Sequence, residues 1–127
     1  MEKPLLVGAG GFVGAVLRYW MSGAVQQLFK TSHFPVGTLA VNVLGCLVIG
    51  FLSQLAEEHG LFTVESRLLV FSGILGGFTT FSAFGNETMN LLRTEQHLFA
   101  FGSVTAHLFL GIGGVWLGRA LAYLLGK

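Results

Sequence analysis

The sequence predicts an all-α integral membrane protein, one domain over residues 1–127 with four transmembrane helices per subunit. Three observations lead there. Hydrophobic residues make up 53% of the chain and charged residues only 10%, where soluble domains carry about 25% charged residues. Four apolar stretches each reach the roughly 20 residues that a helix needs to cross the bilayer core. The connections 26–35, 57–67 and 93–97 are too short to hold a soluble domain. Six acids and seven bases cannot cover the surface of a soluble globule of this size. The composition therefore excludes a soluble enzyme, a disordered chain and a disulfide scaffold. The lone cysteine, Cys46, has no partner for an internal disulfide. A net charge of +1 argues against nucleic-acid binding, which needs clustered Lys and Arg.

The spans follow in order. The first, about 4–25, carries one charge, Arg18. Its n-region is short, and Gly is dense where a signal peptide has a Leu-rich core, so it reads as a retained span. The second, 36–56, is uncharged and starts after Pro35, at a normal helix-start position for proline. The third, 68–92, is uncharged up to Glu87, and the fourth, 98–125, is uncharged up to Arg119.

Four spans place both termini on one side. With the second loop, that side holds Lys3, Arg67, Arg119 and Lys127, while Lys30, Arg93 and Arg18 lie on or nearer the other. Four cations against three give the positive-inside rule almost nothing to act on. The chain is expected to insert in both orientations and to pair as an antiparallel, dual-topology homodimer. The plainer alternative is one weakly biased orientation.

Several residues break the lipid rule. Gly10 and Gly14, Gly73 and Gly77, and Gly114 and Gly118 are each four apart, a spacing that lets helices approach closely in lipid. Packing within the chain explains any one pair better than a dimer face does. Arg18 is a cation inside a span and must snorkel, pair or face water. Glu87 reads either as an interfacial helix-end residue or as a partner for hydroxyls along a polar path. Asn42 sits in the middle of the uncharged second span; its amide either bonds a neighbouring helix or turns its donors to a passing ligand. His107 poses the same choice in the fourth span, where packing is preferred.

The third span carries the strongest signal. Gly76 and Gly77 precede Thr79, Thr80 and Ser82 at mid-membrane depth. That composition suits a helix broken near the midplane, and irregular backbone there is tolerated only when buried in protein or lining a water-filled cavity. Such breaks commonly hold ions: freed carbonyls attract a cation, helix N-termini an anion. Phe78, Phe81 and Phe84 recur every three residues. Packing explains such a stripe, but the positive ring edge also suits a desolvated anion.

Taken together, Gly10-Gly11-x-x-Gly14-x-x-x-Arg18, Gly37-Thr38-Leu39-x-Val41-Asn42 and Gly76-Gly77-x-Thr79-Thr80-Phe81-Ser82-x-Phe84-x-x-Glu87 resemble the Fluc-type bacterial fluoride channels, the family also called CrcB. The resemblance covers nearly the whole chain. It implies a passive, fluoride-selective channel that exports the toxic ion across the bacterial cytoplasmic (inner) membrane. It further implies an antiparallel homodimer with two pores. Asn42 would hydrogen-bond fluoride, and the edges of Phe81 and Phe84 would flank the pore. Thr80 and Ser82, with Glu87 beyond, would form a polar track, with Arg18 at the vestibule. The carbonyls of Gly76 and Thr79 from both subunits would hold a structural sodium ion. Ala83 and Gly85 stand where the family often has hydroxyls, which shortens the track.

The physics is compatible with that reading. A fluoride pore must replace hydration without holding the ion too tightly, and one amide, a few hydroxyls and ring edges offer no fixed cation to trap it. Two alternatives stand beside it. A small-multidrug-type proton-coupled transporter shares the length and span number but needs a central carboxylate, absent from the first three spans up to Glu87. A non-transporting packing subunit accounts for the Gly pairs but not for the Gly, Thr and Ser of the third span. An enzyme is not expected, because no nucleophile, base and orienting group converge.

Overall fold

The computed structural model describes residues 2–30 and 32–127. They form helix α1 (Glu2–Leu28), α2 (Val36–His59), the short α3 (Val64–Arg67), a π-helical segment (Leu68–Leu75), α4 (Gly76–Phe78), α5 (Phe81–Arg93) and α6 (His97–Leu125). α1, α2, the succession from Val64 to Arg93 and α6 are each long and apolar enough to cross a membrane. At 1.5 Å per residue even the 24 residues of α2 extend about 36 Å, more than a hydrocarbon core of about 30 Å requires.

Local sequence accounts for the ends. Gly60 closes α2 in the left-handed conformation (φ 59°), its N–H donating to Ala56 O at 3.0 Å, as Gly does at no steric cost. Thr63 caps α3 by accepting from Ser66 N. Between α5 and α6 the turn is made by Glu95, a non-glycine at φ 60°, and Gln96 N donates back to Leu91 O at 2.8 Å. The π-helical stretch has no counterpart in the sequence expectation. Its eight residues exceed the single-turn bulge usual for this geometry.

α2 packs mainly along α6, and α1 along the π-helical segment and α4. Glycine makes both seams. A methyl group at Gly14 would run into the carbonyl of Ile74, and one at Gly118 into the carbonyl of Leu47 on α2. Gly10 meets Gly73 across the first seam in the same way. The spaced glycines thus bring helices of one chain together.

What remains outside is apolar. Phe12, Tyr19 and Trp20 on α1, and Phe101, Phe109, Ile112 and Trp116 on α6, are exposed in the single chain. Burial in the core is confined to residues such as Val41, Leu75, Phe78, Ala100 and Ala122. An outward face of this kind is stable against hydrocarbon rather than water.

Candidate functional site

The succession from Val64 to Arg93 changes conformation at two residues. Thr79 (φ −91°, ψ 158°) and Thr80 (φ −151°, ψ 110°) are extended, between the end of α4 at Phe78 and the start of α5 at Phe81. Thr79 still bonds back to Leu75 O through its amide (3.1 Å) and its hydroxyl (3.1 Å). Thr80 leaves the helical ladder. Its hydroxyl caps α5 by accepting from Ala83 N at 3.1 Å, the usual way a threonine opens a helix.

The amide that a continuous helix would direct at Gly76 O goes elsewhere. Thr80 N–H donates to Asn42 Oδ1 at 2.7 Å, and Asn42 Nδ2 donates to Thr80 O at 3.1 Å. One side chain from α2 thereby replaces both backbone partners of an extended, half-buried residue whose peptide groups would otherwise be unpaired within the protein. Asn42 Nδ2 also lies 3.1 Å from His107 Nε2 on α6. Asn42 Nδ2 thus has two neighbours at hydrogen-bond distance inside the chain.

Two cavities meet at Thr80. The first, of about 570 Å³, is largely apolar and is lined by Asn42, Cys46, Gly76, Thr79, Thr80, Phe81, Phe84 and His107 among others. The rings of Phe81 and Phe84 are 5.5 Å apart and tilted by 59°. Phe84 also lies against the His107 imidazole, with centroids 4.2 Å apart. Phe81 is 82% exposed, whereas Phe78 is 8% exposed. The phenylalanine stripe divides accordingly: Phe78 packs in the core, and Phe81 and Phe84 face the cavity.

The second cavity, of about 600 Å³, is more polar than the first and lies between α1, α2 and α5. Arg18, Ser22, Thr38, Thr80, Ser82, Asn86 and Glu87 line it. Arg18 is half-buried, and the ion pairs among the described residues do not include it. Thr38 donates to Glu87 Oε1 at 2.7 Å, joining α2 to α5. The other carboxyl oxygen, Oε2, is shut from solvent and has no hydrogen-bond partner among the described residues. Ser82 Oγ is 3.2 Å from the Thr80 hydroxyl, which links the two cavities by side chains.

The residues singled out from the sequence thus divide between the two cavities, with Thr80 common to both. Asn42, Gly76, Thr79, Phe81 and Phe84 border the apolar one, and Arg18, Ser82 and Glu87 the polar one. Two residues the sequence named without a role in the site contribute to it: Thr38, which holds Glu87, and His107, which touches both Asn42 and Phe84, the interhelical packing preferred for it from the sequence. No group of three or more His, Cys, Asp and Glu able to hold a metal occurs among the described residues.

Comparison with known proteins gives a consistent family. A family model described as CrcB-like protein, Camphor Resistance (CrcB), matches residues 5–119. A protein of Elusimicrobium minutum named "Fluoride-specific ion channel FluC" is 46% identical over 127 residues, covering 98% of this chain and 97% of that protein. One of the same name from Methylobacillus flagellatus is 42% identical over 121 residues, 95% of this chain and 94% of that protein. "Fluoride-specific ion channel FluC 1" of Methanosarcina acetivorans is 43% identical over 122 residues, 96% and 92% of the two chains. With near-complete coverage in each comparison and four apolar helices in the fold, this chain belongs to the CrcB family.

Proposed function

We propose that the chain is the subunit of a passive fluoride channel that exports the ion and relieves its toxicity, and is not an enzyme. The observation that carries this is the clamp of Asn42 on Thr80, placed where an apolar, ring-lined cavity meets a polar one rimmed by Arg18. Relatives at 42–46% identity carry the name of fluoride-specific ion channels. That likeness gives the multidrug-transporter and packing-subunit alternatives no support.

The chemistry suits a small, strongly hydrated anion. Arg18 attracts it to the polar cavity, and Ser82 and Thr80 replace part of its water. The edges of Phe81 and Phe84 carry it through the apolar stretch by their quadrupoles. Among the described residues no Lys or Arg side chain lines the apolar cavity, so no fixed side-chain charge traps the ion there. Asn42 contributes a donor to fluoride when one Nδ2 proton is released from its partner within the chain.

Two copies pair antiparallel in the cytoplasmic membrane and enclose two pores. The open side of the apolar cavity and the exposure of Phe81 support a covering second copy, and the balanced cations support dual insertion. The extended residues lie near the bilayer midplane. The carbonyls of Gly76 and Thr79 from both copies hold a sodium ion between the subunits, and its charge ties the two interruptions together. Thorough sodium removal is then expected to lower flux and loosen the dimer; unchanged flux and dimer content would remove the ion from the assembly.

The deciding experiment is efflux from liposomes read with a fluoride-selective electrode, beside a chloride control. Rapid fluoride release with little chloride release is the expected result. Equal release of both ions, or of neither, would overturn the reading.

A further inference from the structure

The direction of every hydrogen bond around Asn42 follows from the backbone of Thr80. The Thr80 amide can only donate and its carbonyl can only accept. Asn42 must therefore present Oδ1 to the amide (2.7 Å) and Nδ2 to the carbonyl (3.1 Å). The second Nδ2 proton points to His107 Nε2, 3.1 Å away, so that nitrogen has to be bare. The ring proton then sits on Nδ1, 2.9 Å from Ser103 O, a carbonyl that can only accept. Ser103 Oγ, 3.5 Å from the same nitrogen, is free to accept as well, so both ends of the imidazole agree on one tautomer, with the proton on Nδ1.

We infer that His107 is a positioning residue, whose bare Nε2 holds the Asn42 amide and, through it, the extended backbone of Thr80 at the junction of the two cavities. A ring protonated at Nε2 would set two donors against each other 3.1 Å apart. The same imidazole lies 4.2 Å from the Phe84 ring centroid, so its orientation also sets the wall of the apolar cavity. With Nε2 accepting, His107 keeps the Asn42 amide satisfied between ions.

The inference rests on the reading that this chain passes fluoride, and its test separates the two. The first arm needs no transport: nitrogen-15 NMR of the unsubstituted protein in lipid should show His107 protonated at Nδ1 and bare at Nε2. A proton on Nε2 would overturn the inference whatever the flux. The second arm compares His107→Met, which keeps bulk but removes the nitrogen acceptor, with His107→Gln, whose amide can accept from Asn42 and donate to Ser103 O. Leaving the Asn42 donor unpaired is expected to slow fluoride efflux about tenfold or more. His107→Gln should recover most of that loss. Met and Gln variants with equal flux, both near the unsubstituted rate, would count against a positioning role. If His107→Met fails to fold, the NMR result alone decides. If the unsubstituted protein passes no fluoride, the channel reading fails instead, and the tautomer still stands or falls on its spectrum.

Discussion

Asn42 and Thr80, on α2 and at the start of α5, are joined by a two-way hydrogen bond in which one carboxamide serves both the amide (2.7 Å) and the carbonyl (3.1 Å) of a single extended residue. The side chain stands in for a neighbouring strand. It allows a segment apolar enough for a membrane to depart from helix without leaving peptide groups unpaired.

Removing that side chain should therefore harm the fold as well as any pathway. Asn42→Leu, close in size, leaves the Thr80 amide and carbonyl without partners, each at a cost of about 1–3 kcal/mol. Asn42→Asp retains the acceptor for the amide but loses the donor for the carbonyl. Thermal unfolding in detergent should rank the unsubstituted protein above Asp and Asp above Leu. A Leu variant as stable as the original would mean that the clamp contributes nothing.

The aromatic residues offer a sharper separation. Phe81 is 82% exposed and Phe84 faces the same cavity, so Phe81→Ile and Phe84→Ile should leave a folded protein that passes fluoride much more slowly. Phe78 is buried at 8% exposure. For Phe78→Ile the expectation is near-normal flux with a stability loss of about 1–2 kcal/mol. Normal flux in both cavity-facing variants would return those rings to packing alone.

The seam of α1 against the third span tolerates no side chain at Gly14. Gly14→Ala drives a methyl into the Ile74 carbonyl, a backbone atom that cannot swing away, and should cost about 1–3 kcal/mol or more. Gly11→Ala on the same helix meets nothing within 4 Å and should be neutral. Circular dichroism melts of the two variants give the comparison directly. Equal melting would mean the seam relaxes without cost.

Dual insertion predicts symmetric accessibility. A cysteine at Lys3, in a Cys46→Ser background, should react with a membrane-impermeant thiol reagent from both sides of intact cells. Added lysines on one side should fix one orientation and reduce fluoride efflux until an oppositely biased copy is supplied. Labelling from one side only would exclude the antiparallel pair.

Asn42 also shows how far local sequence reaches. An amide in the middle of an uncharged span had to find partners, and two remained open from residue type alone: a helix or a ligand. The partners are Thr80 and His107, 38 and 65 positions away. Glu87 is the same case: its Oε1 accepts from Thr38, 49 positions away.

Residue order alone was enough for the four membrane-length helices and the close glycine seams. Each follows from composition within a few turns of chain: apolar length or missing side chains. The tertiary structure alone decided that Phe78 is core while Phe81 and Phe84 line a cavity, that the polar residues fall into two cavities meeting at Thr80, and that His107 supports Asn42. These depend on how each helix is rotated and set in register against its neighbours. Packing across the whole chain sets that register, including a π-helical stretch from Leu68 to Leu75 that no residue pattern announced, and a shift of one residue there turns every later side chain to a different face.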